Sequence, residues 1–351
     1  MQELLLDNRP VVGIRAMLGG GEQREFGATH GVILAAGDYA SNEQLIGRYK
    51  GDDFRKIDGI NPFACGDGHL LAETAHAKLV NMDVTYGPEL RLIPNSKNPF
   101  QQWLPVRGPL IKLQGAIARR IPRWIMRAAV KRMLVTWQHP EAALFTDGAI
   151  LLNRQGARFV NETKWPDREI AVAAQPEKAA WILLDRHLVE RYSKWPHFIS
   201  TAPDIAYAYV DDYRRLRPDV THAGDSLQAA AQSAGIPANA AVKTVEKYNL
   251  YVAGRAADEF GRKGDTNLLE PGPSVLPGPV KAYFTTTEGG AAVNQRLQVL
   301  CDRGEVIPGL YAIGQNGLGG MILWGHGLHI AWAMTSGRLA GRFVIEDGGK
   351  V

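Results

Sequence analysis

Three short strings near the end of the chain hold the residue types that move protons and let the backbone be approached closely. Thr285-Thr286-Thr287-Glu288-Gly289-Gly290 sets a carboxylate beside two residues without side chains. Gly325-His326-Gly327 sets an imidazole between two more, at the start of a run with helical character through Arg338. Gly314-Gln315 follows an apolar strand, Leu310 to Ile313. Carboxylate, imidazole and the nearby phenol of Tyr283 are groups that exchange protons in catalysis. Glycine lets a ligand approach the backbone. A helix start adds unpaired N–H groups and partial positive charge, which suit an anionic edge. Each residue also has a plainer reading. Glu288 reads equally as an acid or base and as an exposed carboxylate; Tyr283 as a donor or as packing. His326 reads as a ligand contact or as a structural residue at a helix end. His329 and Trp332, at helical spacing, read as packing. Gln315 can hydrogen-bond a hydroxyl.

Composition limits what these groups serve. The 351 residues are enough for two domains, and 45% hydrophobic with 22% charged content is ordinary for a globular protein. No apolar run has the length of a membrane span, and the first residues lack the pattern of a secretory signal, so a cytoplasmic setting is expected. Cys65 and Cys301 are far apart and in no metal-ligand spacing, so no metal site is expected. The net charge of +4 is local in origin. No acidic residue lies between Glu89 and Glu141, while ten basic ones do; without them 30 basic face 36 acidic residues. A global nucleic-acid signature is therefore absent. The segment 107–137 mixes those bases with Ile, Leu, Trp and Met. Pro122 divides it into two helical pieces. It reads as a cap helix pair with a solvated basic face or as a peripheral membrane contact.

The positioning elements follow from hydrophobic period and turn residues. Val11–Met17 and Gly31–Ala36 read as strands with Gly19-Gly20-Gly21 as a hairpin turn between them. Leu70, Leu71, Ala75, Leu79 and Val80 mark one face of a helix within 66–83, with Asp67-Gly68 at its start. Residues 149–162 read as two short strands around Gln155-Gly156. Residues 226–252 read as two amphipathic helices broken at Gly235-Ile236-Pro237, with Asp225-Ser226 as N-cap. Pro271–Pro279 is a stiff connection.

From Thr285 to Arg342 the chain resembles the closing segment of the flavoproteins grouped with fumarate reductase and 3-ketosteroid dehydrogenase. The string THGVILAAGDYASNEQL, from Thr29 to Leu45, resembles that family's second flavin-domain signature. The resemblance covers about two-thirds of the chain and is weak from Thr85 to Leu144. It implies an α/β flavin-binding domain made of 1–83 and 274–351, with an inserted α+β cap or substrate domain at 84–273. It implies FAD as cofactor, touched by Ala36, Gly37, Thr287, Gly289, Gly290, Gly314, Gln315, Gly325, Gly327 and Leu328. The implied reaction is hydride transfer between the flavin and a carbon–carbon bond next to an activating group of a small-molecule substrate. Arg168, Tyr283, Glu288 and His326 are the implied catalytic set.

Departures from the family pattern qualify that expectation. The glycine-rich strand–turn–helix that holds the ADP half of FAD is not found in this sequence. The flavin domain is thus expected to be N-terminally incomplete, to hold FAD weakly alone, and to need a redox partner or a complementary chain. The alternative is a truncated or split flavoprotein fragment without independent catalysis. Fumarate reductases have histidine before Thr-x-Gly-Gly, where this chain has Thr285 and Thr286. Their substrate-clamping arginine falls at Gly317, and their acid arginine has only Arg168 as a counterpart, at a shifted spacing. The tyrosine of a steroid-dehydrogenase Tyr-Pro-Gly run is replaced by Leu323-Trp324-Gly325. A dicarboxylate needs paired cations, so a substrate larger or less charged than fumarate is expected.

Overall fold

The computed structural model describes residues 3–94, 107–108, 110–118, 120–203, 205–264, 266–325 and 327–348. It divides into two compact units, Met1–Pro88 with Tyr283–Val351, and Glu89–Ala282. The divisions lie at 88/89 and 282/283, not at 83/84 and 273/274. Strand pairing explains both shifts. Thr85–Tyr86 pairs antiparallel with Thr286–Thr287, which keeps it in the first unit. Ser274–Pro277 pairs with Trp181–Asp185 and Thr221–Gly224, which keeps it in the second.

In the first unit, Glu3–Leu6, Val11–Met17 and Gln23–Gly27 form an antiparallel sheet. Arg15 holds it across the strands through Glu3 and Glu25. The hairpin partner of Val11–Met17 is therefore Gln23–Gly27, not Gly31–Ala36. Gln23–Gly27 is exposed throughout and carries no apolar alternation to betray it. Val32–Leu34 instead pairs in parallel with Val306–Ala312, whose other neighbour is Gln298–Leu300. These strands and the helix Asp67–Thr74 enclose the core: Leu4, Leu34, Leu71, Val299 and Leu310 are among its buried residues. That helix is shorter than expected. His76 adopts φ 58°, a left-handed conformation that stops it. Leu79–Val80 is then a strand paired with Gly290–Ala291. The cap is Gly66 in a left-handed conformation, and Asp67 sits in the first turn, where its charge suits the helix dipole. The last helix is Leu328–Gly348, starting three residues after Gly325 and running past Arg338.

The second unit is built on an antiparallel sheet in the order Thr221–Gly224, Ser274–Pro277, Trp181–Asp185, Ile150–Leu152. Trp181–Asp185 is buried along its whole length. Helices Leu227–Ser233 and Ala238–Val252 break at Gly235, φ 70°, and Ser226 caps the first by accepting the Ala229 N–H at 3.2 Å. Only one strand, Ile150–Leu152, forms within 149–162 among the described residues. The stretch expected to be the second strand instead feeds a buried ion cluster. Arg158 meets Glu162 at 2.8 Å and Asp258 at 2.6 Å, and Arg262 meets Glu162 at 3.3 Å. Helices Leu110–Ala118 and Arg123–Trp137 flank Pro122 as its chemistry requires.

Candidate active site

The floor of the site is the pair of parallel strands, in register with Leu310 opposite Val32 and Ala312 opposite Leu34. Their carboxyl ends lead out through Ala36-Gly37 and Gly314-Gln315. In parallel sheets, ligands bind beyond such ends. Asn316 locks the two exits together. Its Oδ1 accepts the Ala36 N–H at 2.5 Å. Its Nδ2 donates to the Gly37 carbonyl at 3.0 Å and to His69 Nδ1 at 3.2 Å. His69 in turn donates from Nε2 to the Gly289 carbonyl at 2.9 Å. Both ring nitrogens are thus matched only in the neutral form. Burial pushes the His69 pKa down to about 4, against the opposing pull of the Gly289 carbonyl.

A second layer carries the charges. Asp38 accepts the Ala40 N–H at 2.9 Å and the Thr286 hydroxyl at 2.8 Å. The Gln315 amide donates to Thr286 Oγ1. Burial raises the Asp38 pKa, and those two bonds oppose the rise. Glu288 is 0% exposed. Its Oε2 accepts the Leu323 N–H at 3.0 Å, and its Oε1 meets His329 Nε2 at 2.9 Å. His329 lies in the first turn of Leu328–Gly348 and is partly exposed. Its Nδ1 has no hydrogen-bond partner among the described residues. The same helix grips the glycine turn: Trp332 donates to the Gly314 carbonyl at 3.1 Å, and Ser336 Oγ accepts the Gly314 N–H at 3.0 Å.

The expected cofactor residues separate by exposure. Ala36, Gly37, Gly314, Gln315, Gly325, Gly327 and Leu328 are exposed or half-buried. Thr287, Gly289 and Gly290 are buried. A Cβ on Gly289 would stand 2.5 Å from the Tyr39 hydroxyl, and one on Gly290 would stand 2.6 Å from the Gln315 carbonyl. These two glycines serve close packing within the chain, not the approach of a ligand. Thr287 Oγ1 faces the Tyr39 N–H at 3.4 Å, inside the fold. Thr286 carries the polar link to Asp38 instead.

The expected catalytic residues also part company. Glu288 is central to the network. Tyr283 takes no part in it: it pairs with Asp58 on a neighbouring strand, and burial raises its pKa. His326 lies outside the described residues. Arg168 is buried in the second unit, where its guanidinium meets Glu169 at 2.5 Å and the Glu162 carbonyl at 2.9 Å and covers the Phe145 ring at 4.5 Å. It is held inside that unit, paired with a carboxylate. His329 and Asn316 were missed as site residues. Helical spacing predicted packing for His329, and nothing local identifies a partner 41 positions away.

Comparison with known proteins adds what the geometry leaves open. Residues 128–324 match the model of the FAD binding domain family, more than half of the chain. The chain belongs to this family. Members have FAD as cofactor, and so does this chain. A fumarate reductase (cytochrome) from Shewanella frigidimarina is 28% identical over 88% of this chain and 44% of its own length. An NADH:acrylate oxidoreductase from Vibrio harveyi is 26% identical over 97% of this chain and 29% of its own. The chain therefore spans less than half the length of these curated relatives. The open conformation of a flavocytochrome c3 fumarate reductase shares the fold, with TM-score 0.65 and 23% identity over 99% of this chain and 51% of that one. A 3-ketosteroid Δ1-dehydrogenase from Sterolibacterium denitrificans shares it at TM-score 0.52 and 20% identity, over 98% of this chain and 59% of that one.

The residues present fit the flavin end of FAD. A flat aromatic system needs an apolar seat with polar groups at its rim. Met321, Ile322, Trp324 and Leu328 form a run of exposed apolar side chains leading into the last helix. Nothing lies within 4 Å of where a Cβ would stand on Gly37 or Gly327, so both positions leave open space. Among the described residues no group of His, Cys, Asp and Glu is arranged to hold a metal ion, and no helix is long and apolar enough to cross a membrane.

Proposed function

We propose that this chain acts in an FAD-dependent oxidoreductase that dehydrogenates, or reduces, a carbon–carbon bond next to an activating group. The first unit is the flavin-binding domain and the second the cap or substrate domain. When bound, FAD supplies hydride transfer at its flavin ring. The chain's own part is to seat the ring and to move the second proton. The observation that carries this reading is the Glu288–His329 pair. A fully buried carboxylate fixes one ring nitrogen of a partly exposed histidine, which leaves Nδ1 as the group that gives or takes a proton. The Leu323 N–H holds the other oxygen of Glu288, so the carboxylate cannot turn away. Asp38, Gln315 and Asn316 position the backbone around the pair.

The substrate is larger or less charged than fumarate. A Cβ on Gly317 would stand 2.1 Å from the Ala312 carbonyl, so no clamping side chain fits at that position. Electrons pass to or from a redox partner. The setting is the cytoplasm, where the exposed thiol of Cys65 stays reduced.

The test is a dye-linked assay of the FAD-loaded protein against α,β-unsaturated acids and cyclic enones. Glu288→Gln keeps the shape and removes the charge. It is expected to lower kcat by about 10²-fold or more, with little change in KM and a displaced pH profile. Unchanged kcat and pH profiles in both Glu288→Gln and His329→Asn refute the assigned role.

A further inference from the structure

The helix pair at 110–137 has a face that the flavin chemistry does not use. In Arg123–Trp137, the C-terminal half is anchored: Leu134 and Val135 are buried. Lys131 meets Asp212 at 2.8 Å and covers the Tyr207 ring at 4.3 Å. The N-terminal half is bare. Trp124 is 71% exposed, with Ile125 and Met126 beside it. Ile205, 63% exposed, and Pro203 line an open groove with Met126, Val130 and two arginines, Arg123 and Arg127. Leu110 and Ile117 of the preceding helix are exposed as well.

Among the described residues, the unmatched charges on this helix are basic. Arg123, Arg127 and Arg132 have no ion-pair partner among the described residues. The nearest helix packed on this one, Val210–Leu216, carries Asp211 and Asp212, but both are matched. Asp211 meets Arg214 at 3.1 Å, and Asp212 meets Lys131 and, at 3.0 Å, Arg215. Exposed Trp, Ile and Met interleaved with unmatched arginines fit a surface that is apolar below and anionic at its rim. That is the chemistry of a lipid headgroup region. A nucleic acid would use the charges and leave the aliphatic residues wet.

We propose that this helix pair docks on an anionic membrane surface, with Trp124 and Met126 below the headgroups and Arg123 and Arg127 on the phosphates. The contact is peripheral and reversible, and it weakens with salt because its cations are exposed.

Vesicle co-sedimentation of the full chain tests this, using phosphatidylcholine alone and phosphatidylcholine mixed with phosphatidylglycerol. Binding to the mixed vesicles, lost at high salt and at least about ten-fold weaker on the neutral ones, is the expected result. Arg123→Ala with Arg127→Ala should weaken it by about thirty-fold, and Trp124→Ser should weaken it independently. Both change exposed residues, and circular dichroism checks that they fold. Arg303→Ala, on the exposed surface of the other unit, should leave binding intact. Equal binding to both vesicle types, no binding to either, or an equal loss in Arg303→Ala overturns the proposal. So does concentration-dependent self-association through this face without vesicle binding.

Discussion

Mild acid should loosen the first unit through His69. The neutral ring donates to Gly289 and accepts from Asn316, so a second ring proton would face the Asn316 amide, a donor against a donor. Burial holds the folded-state pKa at about 4, whereas an unfolded chain titrates near 6.5. A depressed folded pKa means that the unfolded chain takes up the proton first. Stability is therefore full above about pH 6.5 and declines as pH falls toward about 4, where the total loss levels off at about 3 kcal/mol. Between about pH 7.5 and 5 the linkage amounts to about 2 kcal/mol. Asp38 acts with the opposite sign, since burial raises its pKa and an acid so shifted gains stability as pH falls. The two are separated by comparison with His69→Gln, whose amide keeps a donor for Gly289 and does not titrate. Urea unfolding of both proteins at the two pH values should show the extra loss of about 2 kcal/mol only in the parent. Ring NMR of the parent should show His69 still neutral at about pH 5. A His69 that titrates near 6.5 in the folded protein, or a Gln variant with the same acid loss, would refute the reasoning.

Other perturbations give outcomes of contrasting sign. Gly317→Ala places a methyl 2.1 Å from the Ala312 carbonyl; it should cost about 4 kcal/mol or more, or prevent folding, as read by thermal unfolding and soluble yield. Gly341→Ala, in a helix with nothing within 4 Å of the new methyl, should stabilise by about 0.5–1 kcal/mol in the same measurement. Arg262→Met removes one of two arginines from the buried Glu162; it should destabilise the second unit by about 3–5 kcal/mol in urea, and no change would mean the cluster is not formed.

How much of this was readable in advance follows the range of each interaction. The break at Gly235 and the two pieces around Pro122 are local properties of glycine and proline, and the sequence predicts them. The strand at 310–312 and its glycine exit are legible as an apolar run before a turn, and their link to FAD as a resemblance of motifs. Long-range matches are not legible. Nothing in Gln23–Gly27, whose one large apolar side chain is the exposed Phe26, marks it as the partner of Val11–Met17. Nothing near Asn316 says that it holds Ala36, 280 positions away. Glu288 looked as fit for solvent as for a buried site, because its two partners, Leu323 and His329, come from a later segment. The helix expected through Val80 stops early because His76 takes a backbone conformation that hydrophobic period does not encode.

The parallel pairing of Val32–Leu34 with Val306–Ala312 also governs the order in which the chain can fold during synthesis. Val32–Leu34 leaves the ribosome without a partner until Val306–Ala312 has been made. Closing so long a loop is slow and entropically unfavourable. The second unit shortens it. Its own ends meet where the Ile93 N–H donates to the Pro279 carbonyl at 3.2 Å. Once that unit has folded, roughly 90 flexible residues instead of about 270 separate the two strands, which lowers the closure cost by on the order of 1 kcal/mol. The inserted unit thus shortens the loop that the unit it interrupts must close.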